Sequence, residues 1–182
     1  MAALVPAIAT VATLMVQAKN MASEVKYVKA TLDGQKYLVL KKKDAPAAAN
    51  LLALVRRDLE SLVAQYNEEN PKSDAAARLV KQFDGSLISE GNPDTAYTSY
   101  TVRKARIVLC IRQKGGIFVP KNVIMYVAIH ELAHVMTASN GHTPEFWENN
   151  ELLLTCAEKM GIYWRQDFSQ SPQPYCGLVI NS

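Results

Sequence analysis

The histidines of this chain are confined to one short stretch, which constrains the fold more than any other feature. All three, His130, His134 and His142, lie in YVAIHELAHVMTASNGHTPEFW, residues 126–147. Residues 122–138 are apolar almost all round, which is typical of a helix buried in the centre of a domain. His130 and His134 are four residues apart, so both imidazoles leave the same helix face. The pattern therefore predicts a buried helix that offers two nitrogen ligands to one zinc ion.

An acid follows the first histidine, as in the HExxH arrangement. Glu131 at this spacing reaches the attacking water rather than the metal, and it can act as a general base. A third protein ligand is needed, and His142 is favoured because Gly141 is suited to reversing the chain just before it. Glu148 and Glu151 on the following helix are the alternatives. Three protein ligands leave one position open, which is the pattern of a catalytic site.

The rest of the chain predicts an α+β fold with a small mixed sheet. Apolar and polar residues alternate on both sides of Asp33-Gly34, which predicts a hairpin within residues 21–45. We expect this hairpin to form an arm outside the main domain. A long amphipathic helix and a shorter helix follow. The β-rich stretch Tyr100–Ile111 predicts one strand, and Thr143 predicts the start of a helix after the histidines.

Residues 1–18 carry no charged side chain. Two interpretations of this segment remain: an uncleaved membrane anchor, or a helix packed on protein. A signal peptide is disfavoured because no basic residue precedes the apolar run. If the segment spans a membrane, the lysines that follow it place the main domain on the cytoplasmic side. We therefore divide the chain into an apolar N-terminal helix (1–20), a hairpin arm (21–45) and a main domain (46–182).

Charge and cysteine content limit the partners and the compartment. The net charge is only +3, without a dense basic face, so nucleic acid is not indicated as a partner. The cysteines are few, odd in number and widely spaced, at Cys110, Cys156 and Cys176. This pattern predicts free thiols in a reducing compartment rather than a disulfide framework, with Cys110 as a small buried residue of the strand.

The combination HELAH…GHTPEFW resembles the HExxH metallopeptidases of the WLM and SprT-like groups. The longer combination TSYTVRKARIVLCIRQK…NVIMYVAIHELAHV resembles predicted WLM-type metallopeptidases of large DNA viruses of eukaryotes. The resemblance covers roughly residues 46–180. It implies a zincin-like domain in which His130, His134 and His142 hold Zn²⁺ and Glu131 assists hydrolysis of a protein or peptide substrate. The compact third-histidine spacing and the Met-turn of metzincins are absent.

The resemblance also implies that strand Tyr100–Ile111 is the edge strand on which an extended substrate lies. Tyr163 and Tyr175 are candidate donors for stabilising the oxyanion, although tyrosines in such contexts more often pack. Phe146 and Trp147 are expected to pack under the metal site.

A structural role is the alternative function. The chain could be a virion component, either a minor capsid protein or a protein associated with an inner membrane, with a zincin fold of latent or no activity. Its partners would be viral capsid proteins, with a membrane bound through residues 1–18. The implied location is the virion or the host cytoplasm. Glu131 favours chemistry, because a purely structural zinc does not need that acid.

Overall fold

The structure is a computed structural model that describes residues 24–95 and 99–181. The apolar helix predicted at residues 1–18 lies outside this range. Within the described range, none of the helices combines the length and the apolar character needed to cross a membrane.

Among the described residues, the main sheet has five strands: β1 (Val25–Lys29), β2 (Lys36–Leu40), β3 (Ser89–Glu90), β4 (Tyr100–Val102) and β5 (Arg106–Leu109). They lie in the order β1-β2-β3-β5-β4. The inner pairs β2–β3 and β3–β5 are parallel, whereas the outer pairs β1–β2 and β4–β5 are antiparallel hairpins. The small mixed sheet that the sequence predicts is therefore confirmed.

Helices and a second hairpin complete the described fold: α1 (Ala45–Glu69), α2 (Asp74–Gln82), α3 (Lys121–Met136), α4 (Pro144–Lys159), β6 (Gln173–Tyr175) and β7 (Leu178–Ile180). A short 3-10 turn lies between α2 and β3. The α4 helix begins where the sequence predicts, because the Thr143 side chain accepts from the Phe146 amide and proline occupies the first turn.

The α3 helix is the centre of the molecule. It packs against α1, α2, α4 and the β4–β5 hairpin. Most of its apolar side chains, among them Ile124, Ile129 and Leu132, are fully buried. A helix that is apolar all round needs such neighbours on every side, and this burial fixes the direction in which its few polar side chains project.

The β1–β2 hairpin is not an arm. Leu38 pairs with Ser89 of β3, and Tyr37 and Val39 are buried in the core. The loop between the two strands is held against α1, because the Asn50 side chain accepts the backbone amide of Thr31 at 2.8 Å. The prediction of a separate arm is wrong, since alternation alone does not show whether the outer edge of a hairpin pairs with a further strand.

The stretch Tyr100–Ile111 forms a hairpin rather than one strand. Val102 pairs with Arg106, and the residues between them include Arg103 and Lys104 in the left-handed region, with φ of 50° and 55°. This turn contains no glycine, proline or asparagine, so the sequence carries no turn signal there. As a result, of these two strands only β4 lies at an edge of the sheet, and β5 lies inside it.

The prediction that the cysteines are free is also wrong. Cys110 and Cys176 form a disulfide, and only Cys156 remains a buried thiol. Gln113 brings the two cysteines together, because it donates to the Pro174 carbonyl at 2.7 Å and accepts the Cys176 amide at 2.9 Å. The cysteines therefore do not indicate a reducing compartment.

Candidate metal centre

Three histidines converge at the surface end of α3. His130 and His134 come from that helix, and His142 comes from the loop that joins α3 to α4. One ring nitrogen from each residue lies within 4.8 Å of the other two. The Nε2 atoms of His130 and His142 are 3.0 Å apart. The structure thus brings together the three residues that the sequence analysis proposes as ligands.

This cluster fits a zinc ion by its spacing and by its protonation. Two nitrogens bound to one tetrahedral zinc lie roughly 3.3 Å apart, given bond lengths of about 2.0–2.1 Å. Burial, and the neighbouring imidazoles, lower the pKa of His130 to about 4. Burial, with charge from His142 and Lys104, lowers the pKa of His134 to about 4. Both rings are therefore neutral near pH 7, with lone pairs available to a metal.

The two glutamates weighed as alternative ligands are not in this cluster. Among the described residues, the group that could hold a metal consists of the three histidines. The Glu151 carboxylate instead pairs with Arg165 at 2.6 Å. Glu148 is exposed on α4. His142 is therefore the better candidate for the third ligand.

The loop that carries His142 is fixed by one carboxylate. Glu145 accepts the Ala138 amide at 2.8 Å, the Ser139 amide at 3.1 Å and the Ser139 hydroxyl at 2.7 Å. These hydrogen bonds lower the pKa of Glu145 to about 2. Gly141, with φ of 79°, then reverses the chain immediately before His142. The sequence suggests Glu145 only as an acid in the first turn of α4, so its contacts across the loop were not predicted.

Two cations hold the end of α3 from other elements. Lys104 of the β4–β5 turn donates to the carbonyls of Thr137, Ala138 and Ser139, the last at 2.8 Å. Arg78 of α2 donates to the Met136 carbonyl at 2.6 Å. Positive charge at the C-terminal end of a helix is favourable, and these donors satisfy carbonyls that lack helical partners. Neither cation lies near the histidines in sequence, so no local pattern could have revealed it.

Two aromatic rings support the imidazoles, as predicted for Phe146 and Trp147. Phe146 is fully buried and stacks on His134, with ring centroids 4.3 Å apart. Trp147 stacks on His142 at 5.5 Å and leaves about half of its surface exposed. The histidines are therefore packed into fixed orientations before any metal binds.

Glu131 lies beside the cluster with a partner from the edge strand. Thr101 of β4 donates its hydroxyl to Glu131 Oε2 at 2.7 Å and also lies 3.0 Å from the Glu131 carbonyl. Burial raises the pKa of Glu131 to about 7, while the hydrogen bond from Thr101 acts in the opposite direction. A carboxyl group with such a pKa can both take and release a proton near neutral pH. No sequence motif marks Thr101 as part of the site.

The histidines and Glu131 open onto one cleft of about 480 Å³. Its opposite side is lined by the edge strand, including Tyr100 and Thr101, and by Arg103 and Lys104 of the turn that follows. Cleft, edge strand and histidine cluster therefore form a single site.

The two candidate tyrosines are not among the described residues that line this cleft. Tyr163 is buried and packs on Tyr126, with ring centroids 6.2 Å apart. The Tyr175 hydroxyl is 2.6 Å from the Ser99 hydroxyl, and Ser99 lines the cleft. Tyr175 therefore lies one side chain behind the cleft wall, and burial raises its pKa.

Residues 91–159 match the family described as YgjP-like, metallopeptidase domain. This range contains the three histidines, Glu131 and Thr101. Over 180 residues the chain is 33% identical to uncharacterized protein R325 of Acanthamoeba polyphaga mimivirus, covering 96% of this chain and 91% of that protein. The chain belongs to the family of this mimivirus protein.

Two other viral relatives match a part of the chain. Uncharacterized protein 042R of Invertebrate iridescent virus 3 is 40% identical over 82 residues, which are 44% of this chain and 50% of that protein. Uncharacterized protein 136R of Invertebrate iridescent virus 6 is 35% identical over 68 residues, which are 36% of this chain and 38% of that protein. No solved structure matches the chain. The resemblance to metallopeptidases is supported over residues 91–159, where the matching model is YgjP-like.

Proposed function

We propose that this protein is a zinc-dependent peptidase in which His130, His134 and His142 hold the metal and Glu131 is the general base. The observation that carries the proposal is the convergence of the three imidazoles, with a buried glutamate beside them, in one open cleft. A structural zinc site is closed by four protein ligands, whereas this cluster offers three. The match to a metallopeptidase domain supports the same conclusion.

A bound Zn²⁺ would supply a Lewis acid that polarises the scissile carbonyl and activates water. Glu131 accepts the proton of the attacking water and passes it to the departing amine. The hydroxyl of Thr101 holds the Glu131 carboxylate in place during both transfers. Phe146 and Trp147 limit the movement of the ligand rings.

The substrate class is protein or peptide, bound along β4. This strand pairs with β5 on one side, and no other described strand pairs with its second side. Unpaired amides and carbonyls of an edge strand can bind an extended chain with little regard to its sequence. Because the full-length relative belongs to a virus, we extend the proposal to a viral protein that acts in the virion or the host cytoplasm.

The test uses the full chain, loaded with zinc and incubated with an unfolded protein such as reduced casein. Wild type is compared with Glu131→Gln and with Glu148→Gln, which changes an exposed glutamate of α4. Bound zinc is quantified in all three proteins. We expect Glu131→Gln to bind zinc and to cleave about 10²–10⁴-fold more slowly, because the base is lost. The Glu148→Gln variant should behave as wild type.

Two results contradict the proposal. If the zinc-loaded wild type does not cleave, the cluster serves assembly or folding rather than chemistry, as in a virion component with a latent site. If Glu131→Gln cleaves as fast as wild type, the activity arises from another site or from a contaminating protease.

A further inference from the structure

A second cavity lies beside the metal cleft, on α3, α4 and the segment that follows α4. Its volume is about 400 Å³, within the range of small-ligand sites. Four aromatic residues line it: Tyr126, Trp147, Tyr163 and Phe168. Trp147 also stacks on His142, so this residue connects the cavity wall with the histidine cluster. The peptidase mechanism uses none of the other three.

The aromatic rings form a surface suited to a flat group. Tyr163 and Phe168 are buried, at 2% and 4% exposure, whereas Trp147 is half exposed. The Tyr126 ring lies 4.7 Å from Phe168 and is tilted by 55° against it. Rings held at such angles can contact an entering aromatic ring by its face and by its edge.

A polar group in the cavity wall has an unmet hydrogen-bonding requirement. Asn150 lines the cavity and is only 5% exposed, and its Oδ1 atom has no hydrogen-bond partner among the described residues. The adjacent Asn149, equally buried, donates to the Thr137 hydroxyl at 2.9 Å. Buried acceptors in folded proteins are nearly always paired. The Asn150 carbonyl oxygen is therefore free to accept a hydrogen bond from a donor such as an N–H group of a ligand.

The charges at the rim limit the ligand further. Arg165 is held by Glu151 at 2.6 Å and by Glu158 at 2.9 Å. Asp167 accepts hydrogen bonds from the backbone amides of Ser169 and Gln170, and these bonds hold the rim of the cavity in place. Two carboxylates of the lining, Glu151 and Asp167, face one guanidinium whose charge Glu158 also offsets, and this leaves a negative rim that disfavours an anionic ligand.

We propose that this cavity is a binding site for a flat aromatic group that carries an N–H donor and no negative charge. The ring would lie among the four aromatic side chains, and its N–H would donate to Asn150 Oδ1. The proposal does not depend on peptidase activity. Because Trp147 is shared, occupancy of the cavity also changes the surroundings of His142.

The test measures binding of indole and 1-methylindole to the full chain by protein-observed NMR. The two probes share a ring, but 1-methylindole lacks the N–H donor. We expect saturable shifts at residue 126, at Asn150 and at residues 163–169, with indole bound about 10-fold more tightly because it satisfies a buried acceptor. Tryptamine, a cation, should bind more tightly than the anion indole-3-acetate.

Two variants locate the hydrogen bond. The Asn150→Leu variant keeps the number and branching of the side-chain heavy atoms but removes the acceptor, so it should bind the two indoles equally. Asn149→Leu, at an equally buried asparagine away from the cavity, should keep the preference. The proposal is overturned if wild type does not distinguish the two indoles, or if the shifts lie around the metal cleft instead. A preference for indole that survives in Asn150→Leu overturns it as well.

Discussion

At the scale of single residues, the metal-binding histidines are held in place by side chains that the HELAH pattern does not include. The HELAH pattern alone predicts two ligands and a base, because helical spacing fixes their relative position. For the third ligand the sequence favours His142 but leaves Glu148 and Glu151 as alternatives, since a loop has no such periodicity. The structure favours His142, because packing on Trp147 and the Glu145 contacts hold its loop in place.

Replacement of the third ligand tests that assignment. We expect His142→Ala to weaken zinc binding by more than about 100-fold, since the loss of a direct ligand should exceed the 10–100-fold cost of losing an outer-shell partner. The Glu148→Gln variant, which changes the rival ligand of α4, should bind zinc as wild type does. Competition with a zinc chelator measures both affinities. An unchanged affinity in His142→Ala would remove this residue from the metal centre.

Thr101 is a positioning residue for Glu131. The Thr101→Val variant keeps the shape of the side chain but removes the 2.7 Å hydrogen bond to Oε2. We expect kcat/KM to fall about 10-fold while zinc content stays the same, because the carboxylate loses its orientation and the metal does not. Thr101→Ser keeps the hydroxyl and should restore most of the activity. Equal losses in the valine and serine variants would indicate a packing effect of the methyl group instead.

At the scale of elements, strongly periodic segments were predictable and their connections were not. The predicted helix at residues 122–138 corresponds to α3, Lys121–Met136, because an apolar surface all round admits few alternatives to a buried helix. The sequence predicts a single strand at Tyr100–Ile111 instead of a hairpin, because the turn at Arg103 and Lys104 has no sequence signal. Lys104 supports that turn through three carbonyls at the end of α3, a tertiary effect that local reasoning cannot include.

The α3–α4 loop should show a pH-dependent stability that originates in Glu145. Its folded-state pKa is lowered from 4.5 to about 2 by hydrogen bonds from Ala138 and Ser139. A carboxyl group with a lowered pKa stabilises the fold above its unfolded-state pKa, and this contribution is lost as the pH falls towards the folded-state pKa. The wild type should therefore have a higher melting temperature than Glu145→Gln near pH 7. This difference in melting temperature should shrink as the pH falls from 4.5 to about 2.

Thermal melts of the two proteins at matched ionic strength measure this difference. The comparison cancels the titration of the histidines, which both proteins share. A melting difference that stays constant down to pH 3, or that grows as the pH falls, would contradict the assigned role of Glu145.

At the scale of the whole molecule, the hardest feature to foresee was the covalent link between β5 and the last hairpin. Cys110 and Cys176 are separated by 66 positions, and neither lies in a spacing pattern that indicates pairing. Their proximity follows from the β6–β7 hairpin, whose tight turn has Cys176 and Gly177 at positive φ. Gln113 then holds this turn against the end of β5. Both the hairpin and its contact with Gln113 are needed, so a count of cysteines could not predict the result.

This disulfide should make a large contribution to the stability of the fold. Closing a loop of 66 residues restricts the unfolded chain by about 4 kcal/mol in the chain-entropy model. We expect Cys110→Ala with Cys176→Ala to lower the free energy of unfolding by about 2–5 kcal/mol in denaturant titrations.

A thiol reductant should lower the free energy of unfolding of the wild type by a similar amount and leave that of the double variant unchanged. Cys156→Ala, which removes the buried free thiol, should keep the sensitivity to reductant. A wild type whose stability does not respond to reductant would show that the two thiols are not joined in solution, and that Gln113 and the surrounding packing alone hold the final hairpin on the sheet.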